Sequence, residues 1–421
     1  MDESHIIPRV EFTPEMKKTH TILVPDMLPI HIRFLCDVFE SAGYKLEHLT
    51  NSGRAIVDAG LKYVHNDTCY PALLVIGQFI DALSSGKYDL SRVAVIITQT
   101  GGGCRASNYL SLMRKAFVKA GFGHVPIISL NFAGLEKNSG FKLSLDVLPK
   151  ALGAVVYGDM LMLLNNQVRP YEKNKGESLA LVDRWVERLS ADFRKNKGLT
   201  NPAIRKNFRE MVREFAAIPR VERKAIKVGI VGEIYVKYSP MANNNLEEFL
   251  ISQGCEVNVP GLMGFLLFFI DHRHQDYKLY GCSMVELAAF EAAKALVKSV
   301  EKIMIEVIKE EGTFTPPMFH DDVRKLTEPV ISFGCKMGEG WCLTAEMLEL
   351  AEHGFENIIC TQPFGCLPNH ISGKGMVRKV KQVNPKANIV CIDYDPGATT
   401  VNQENRIKLM LAVAAENMEK E

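Results

Sequence analysis

The feature that most limits what this chain can fold into is a repeated change of period. Short apolar runs rich in β-branched residues, many closed by glycine or a turn, alternate with helical runs of about 10–15 residues. In the first part THTILVPDM (19–27), KLEHLT (45–50), VAVIITQT (93–100) and VPIISLN (125–131) read as strands. AIKVGIVGEI (225–234), EVNVPG (256–261), VISFG (330–334), NIICTQPFG (357–365) and NIVCIDYDPG (388–397) do so in the second. Helices are expected at 29–42, about 106–120, 283–311 and 403–420, and two more flank NDTCYP at 66–71. Strands separated by helices need crossover connections, so the predicted fold class is α/β with parallel sheets.

Between about 175 and 222 the chain turns charged and helical, with apolar residues recurring every three or four positions. The expected organisation is a first α/β lobe over 1–170, a helical connector over 171–224, and a second α/β lobe with long helices over 225–421. No sequence repeat at a fixed period relates the lobes. A chain of 421 residues suits two or three cores, and a formal charge of +1 provides no field to gather nucleic acid or anionic membrane. The apolar stretch GLMGFLLFFI (261–270) is about half of the roughly 20 residues a membrane span needs, so it reads as a buried helix. MDESHIIPRVEF lacks the apolar centre of a secretory leader, and a cytoplasmic location is expected.

Ten cysteines are many for such a chain, and none forms a CxxC pair, which argues against zinc ribbons and thioredoxin-like motifs. Their positions carry more than their number. Cys104 follows a strand across Gly101-Gly102-Gly103 and precedes a helix, Cys366 follows another strand in PFGCLPNH, and Cys69 lies in NDTCYP just ahead of a helix. Ligands in open α/β sheets bind beyond the carboxyl ends of strands. Thiolates there would meet helix N-termini, whose free N–H groups favour anions, and glycines that let amides come close. Gly102, Gly103 and Gly365 are therefore candidate cofactor-binding positions, and Arg105 adds positive charge. Cys335 after 330–334, Cys342 in GWCLTAEM, and Cys360 inside its strand read equally well as ligands or as packed thiols. Cys36, Cys255, Cys282 and Cys391, in apolar or helical runs, read as core. GGGC lacks the Lys-Ser/Thr of a phosphate loop, and HRH (272–274) reads as a solvated loop. IDYDPGA (392–398) reads as an ordinary strand ending, with a metal or ribose site as its rival.

Taken together, NDTCYPALLVIGQ, ITQTGGGCRASNY, GEGWCLTAEM, PFGCLPNHISGKGM and IDYDPGATTVNQENRIKLML resemble the 2-hydroxyacyl-CoA dehydratase D-component superfamily. Within it they are most similar to the double-cubane cluster proteins and the related C-terminal region of large activase-like proteins. The resemblance covers about residues 20–415. It implies two Rossmann- or flavodoxin-like lobes with an oxygen-sensitive iron–sulfur cluster in the cleft, helices used in homodimerisation, and a separate ATP-hydrolysing 4Fe–4S partner that injects low-potential electrons. Cys69, Cys104 and Cys366 match the three ligands of a [4Fe–4S] cubane in the dehydratases. Adding Cys335, Cys342 and Cys360 gives the six thiolates that an [8Fe–9S] double cubane needs.

Three functions follow as expectations. The first is a reductase component acting on small unsaturated molecules at a double cubane, with Gln99, Arg105, Glu339 and His370 as candidate catalytic or proton-supplying groups. The second is a 2-hydroxyacyl-CoA dehydratase subunit working through a ketyl radical at one cubane. The third is a two-lobed α/β binding protein whose cysteines are structural.

Overall fold

The computed structural model describes residues 7, 9–65, 67–99, 102–131, 136–144, 146–281 and 283–420. Gly101 and Cys282, both considered above, lie outside the described residues.

Among the described residues, eight strands form two four-stranded sheets, and every strand pair is parallel. The first sheet holds β1 (Thr21–Val24), β2 (Lys45–His48), β3 (Val93–Thr98) and β4 (Ile127–Leu130) in the order β2-β1-β3-β4. The second holds β5 (Lys227–Gly232), β6 (Glu256–Asn258), β7 (Asn357–Pro363) and β8 (Asn388–Tyr394) in the order β6-β5-β7-β8. The two orders are the same. Each sheet reverses its winding between its first and third strands, which opens a crevice at the carboxyl edge of β1/β3 and another at that of β5/β7.

Period-two alternation assigns the faces. Val93, Val95 and Ile97 of β3 enter one core, and Ala94 and Ile96 enter another. The first of these cores continues into the second sheet through Val228, Ile230, Ile359 and Ile392, so the two lobes share apolar packing. Each such side chain contributes about 1.5–3 kcal/mol on full burial. The backbone N–H of Leu28 also donates to the carbonyl of Tyr238 across the lobes at 3.1 Å. Leu28 sits at φ 52°, a left-handed conformation uncommon for a non-glycine residue, at that junction.

The outer face of the first sheet is covered by the helices Pro29–Ser41 and Val147–Val168, and beyond them lie Glu177–Arg194, Asn201–Ala216 and Met284–Glu311. The helix at 147 is apolar enough to cross a membrane, but 67% of its most apolar window is buried inside the protein. It serves as a core helix. On the other sheet, Ile358, Cys360 and Cys391 pack beneath the helix Trp341–Glu352.

Two sequence expectations are corrected. VISFG (330–334) is not a strand. The N–H groups of Val330 and Ile331 turn back to the carbonyl of Thr327 and close the helix His320–Thr327, while Ile331 and Phe333 pack near Trp341. HRH (272–274) is not a loop, because the helix that begins at Leu262 runs on to Tyr280. Arg273 and His274 pair there with Glu286 and Glu291 of the next helix, and His272 packs edge-on against Phe268.

Candidate functional site

Loops from both carboxyl edges meet at one place. The turn after β3 carries Gly102, Gly103 and Cys104; β5 is followed by Glu233; β7 is followed by Gly365 and Cys366. Cys69 arrives at the start of the helix Tyr70–Ser84. That helix is held tightly against Arg54–Tyr63 through two glycines: a Cβ on Gly77 would strike the carbonyl of Ile56, and one on Gly60 would meet the carbonyl of Leu73 at 2.5 Å. Gly103 faces Met337 closely enough that any side chain there would collide with the sulfur. The GGGC turn of the first lobe therefore abuts the loop between Cys335 and Cys342 of the second.

Three thiols share one local design. Backbone N–H groups approach the sulfur of Cys69 from Ala72, of Cys104 from Ala106 and Arg105, and of Cys366 from Asn369. Each cysteine thus stands where a helical turn begins and leaves donors free. Burial pushes the Cys69 thiol up to about 11, against the Tyr109 hydroxyl, which lies 2.6 Å from its sulfur and draws it down. Cys104 and Cys366 are raised too, first by burial and then by the carboxylates of Glu339 and Glu233. Cys69 and Cys366 each lie within electrostatic reach of Cys104.

Glu233 and Glu339 lie within electrostatic reach of Cys104 and Cys366. The Glu233 carboxylate accepts from the N–H of Val236 at 2.8 Å, and Glu339 Oε1 accepts from Ile234 N–H at 3.1 Å. Burial pushes the Glu233 carboxyl up to about 8, with Glu339 adding repulsion, and burial raises Glu339 as well. Burial disfavours the charged forms of these thiols and carboxyls alike.

The other predicted ligands have their own partners. Cys335 Sγ lies 3.4 Å from Ser372 Oγ, and Cys342 Sγ is 3.8 Å from Glu346 Oε1. Cys360 hydrogen-bonds Asn369 Oδ1 at 3.3 Å and the thiol of Cys391, its register partner on β8. Cys360 is nonetheless close enough to Cys366 to respond to its charge. Among the described residues no group of three or more His, Cys, Asp or Glu side chains is spaced to hold a single metal ion. A cubane makes a different demand, since each thiolate takes a separate iron and the sulfurs stand further apart.

Of the proposed proton-supplying residues, Glu339 lies in the site. Gln99 braces the loop after β3, donating to the carbonyl of Ser107 at 2.9 Å and accepting from Ser129 at 2.8 Å. His370 accepts from Gly365 N–H at 3.3 Å and shapes the turn that carries Cys366. Arg105 is exposed and donates to the carbonyl of Asp67 at 2.5 Å, which ties the Cys104 turn to the Cys69 turn. Gly102 accepts from Ser107 Oγ at 2.5 Å, and Gly365 turns at φ 74°.

Sequence reasoning passed over Glu233, Tyr109, Lys237 and Glu346. Glu233 had a signal, because it ends the strand AIKVGIVGE as Gly365 and the GGG run end theirs. The others sit within helices, where only packing reveals them. Behind the site the ammonium of Lys237 meets the carboxylate of Glu346 at 2.7 Å, with both residues buried. Exposed apolar side chains stand on the surrounding loops, namely Met337, Phe364, Leu367 and Ile371.

No family model matches the chain, and no curated protein matches it significantly.

Proposed function

We propose that the chain is the iron–sulfur reductase component of a two-protein system. It accepts low-potential electrons from an ATP-hydrolysing 4Fe–4S partner and reduces a small unsaturated molecule at an [8Fe–9S] double cubane. The observation that carries this reading is the convergence of Cys69, Cys104 and Cys366 from two lobes, each with backbone N–H groups near its sulfur. Cys360 behind Cys366, and Cys335 and Cys342 flanking the loop that meets Gly103, are the thiols that would extend the site to a second cubane. When bound, such a cluster supplies stored electrons at low potential.

The chain's own groups would do the rest. Backbone amides and the Tyr109 hydroxyl offset the negative charge on sulfur. Glu233 and Glu339, whose carboxyls burial raises, can hold and release protons beside the thiols. Net reduction consumes protons together with electrons, whereas loss of water from a hydroxyacyl thioester leaves the electron count unchanged, so this proton supply favours the reductase. The exposed apolar loops around the site are the surface on which we place the ATP-hydrolysing partner, and the setting is cytoplasmic. A homodimer is part of this reading.

The second reading, a dehydratase subunit with one [4Fe–4S] cubane, is favoured by one observation: Cys335, Cys342 and Cys360 each have a hydrogen-bond partner away from Cys69, Cys104 and Cys366. Iron and acid-labile sulfide per chain, measured with visible and EPR spectra on protein purified without oxygen, separate the two. About eight irons support the double cubane and about four the dehydratase. Iron absent under strict anaerobiosis overturns both and leaves a binding protein with structural cysteines.

A further inference from the structure

The helix Trp341–Glu352 starts at the cysteine loops, and one of its sides borders a partly enclosed space. A cavity of about 100 Å³ lies between it and the helices Val147–Val168, Leu262–Tyr280 and Met284–Glu311, lined among others by Glu301, His320, Trp341, Cys342, Glu346 and Glu349. His353 also borders it and is partly exposed, on the side toward solvent. A buried water needs roughly 10–15 Å³ and two to four polar partners, so the space takes several.

Two independent features favour water there. Trp341 is 1% exposed, yet its indole N–H has no hydrogen-bond partner among the described residues. A buried donor left unmade costs about 1–3 kcal/mol. The second is the density of carboxyls on three elements. Glu349 accepts from Met318 N–H at 2.9 Å, and Glu301 accepts from His320 N–H at 2.8 Å. Burial pushes the Glu349 carboxyl up to about 7, with Glu346 and Glu301 raising it and Lys237 lowering it. Glu301 is raised by burial as well. The remaining charged groups are committed: Glu346 to Lys237, the His320 ring to Asp271 at 2.8 Å, and Asp159 to the first N–H groups of the helix at Leu262.

We propose that this cavity is a water-filled proton conduit, carrying protons from solvent past His353 and through Glu349 to the thiol and carboxyl site at the start of the helix Trp341–Glu352. The assignment rests on the reductase reading for its destination and on the cavity for its path. In each step Glu349 gives one proton inward and regains one from the solvent side. The electron that accompanies the proton comes from the ATP-hydrolysing partner, so charge and protons balance at the site.

The experiment uses the full chain in two states. In iron-free protein, infrared spectra across pH 6 to 8 should show carboxylic-acid carbonyl absorption that falls as pH rises, and E349Q should lose the component titrating near 7 while that of Glu233, pushed up to about 8, remains. A high-resolution crystal structure should show ordered waters in the cavity, one of them accepting from Trp341 Nε1. A missing band in the wild-type protein, a band unchanged in E349Q, or a dry cavity each overturns the conduit. In iron-loaded protein, E349Q should keep its iron and spectra while proton uptake on reduction slows by roughly a hundredfold. Unchanged uptake overturns the conduit. E301Q serves as the second variant should E349Q fold poorly, with slowed uptake expected and an unchanged rate counting against the path. Failure of the wild-type chain to bind iron would defeat the reductase reading alone, because the infrared and crystallographic results judge the hydrated cavity independently.

Discussion

Replacing Lys237 with methionine isolates the ion pair behind the site. Lys237 and Glu346 are 3% and 7% exposed and meet at 2.7 Å. Burial lowers the lysine, but the facing carboxylate outweighs it, and the ammonium is held above its ordinary range. Methionine keeps most of the stem and removes the charge, stranding Glu346 near Cys342 and close to Glu339 and Glu349. Breaking a buried pair in this way costs about 3–5 kcal/mol.

The loss has a pH signature with a definite sign. Burial already raises the Glu346 carboxyl, and Lys237 is the group that lowers it, so K237M raises it further. A carboxyl with a raised folded-state value is protonated in both states below the ordinary carboxyl range and adds no penalty there. The penalty then grows by about 1.4 kcal/mol per pH unit until the folded group itself ionises. K237M should therefore be close to wild type near pH 5 and about 3–5 kcal/mol weaker at pH 8. K237M/E346L should recover most of that loss, because a well-packed apolar pair often matches a buried ion pair. Urea denaturation at pH 5, 6.5 and 8, followed by far-UV circular dichroism and by the two tryptophans, Trp185 and Trp341, measures it. A loss under about 1 kcal/mol at pH 8, an equal loss at all three values, or no recovery in the double variant would refute the reasoning.

Gly77→Ala should drive the helix Tyr70–Ser84 off its neighbour, costing about 1–3 kcal/mol, and, by moving Cys69, lower the iron bound per chain; a denaturation midpoint and an iron assay read both. Tyr109→Phe should leave iron content unchanged and make the cluster potential more negative, since a donor to the Cys69 sulfur is removed, and a redox titration followed by EPR would show a fixed potential if the reasoning is wrong. Cys342→Ala should reduce iron from about eight to about four per chain while Cys391→Ala leaves it near eight, and equal iron in both variants would deny Cys342 a ligand role. In iron-free protein Glu233→Gln should match wild type near pH 5 and be the more stable at pH 8, because the raised Glu233 carboxyl is destabilising only above the ordinary carboxyl range; parallel stability curves would refute this.

The sheets were legible because their strands are short, apolar and closed by turns. VAVIIT and NIICTQP carry period-two faces and β-branched residues that suit few other structures. VISFG has the same composition, but its backbone is used to close the preceding helix, and nothing local separates the two uses. The cysteine turns were legible as breaks between regular elements for the same reason as the strands, since glycine and proline mark where regular structure stops. What could not be read was the wall around them. Tyr109, Lys237 and Glu346 lie within helices and reach the site only through tertiary packing, and Gln99 and His370 show how a polar residue beside a site can serve to shape its loops. The apolar helix Val147–Val168 went unassigned because it lacks the polar face by which surface helices are recognised.

One feature of the fold bears on how the chain is made. Val297, Val300, Ile303, Met304, Val307 and Ile308 finish a core begun by Ile22, Phe34 and Ile96. On the ribosome the N-terminal lobe emerges long before the helix Met284–Glu311 that seals its outer helices, and domains generally fold in order of synthesis. For that interval an apolar flank stays open to water and to other nascent chains. A chain released early, after about 230 residues, should therefore aggregate more readily than the full-length one.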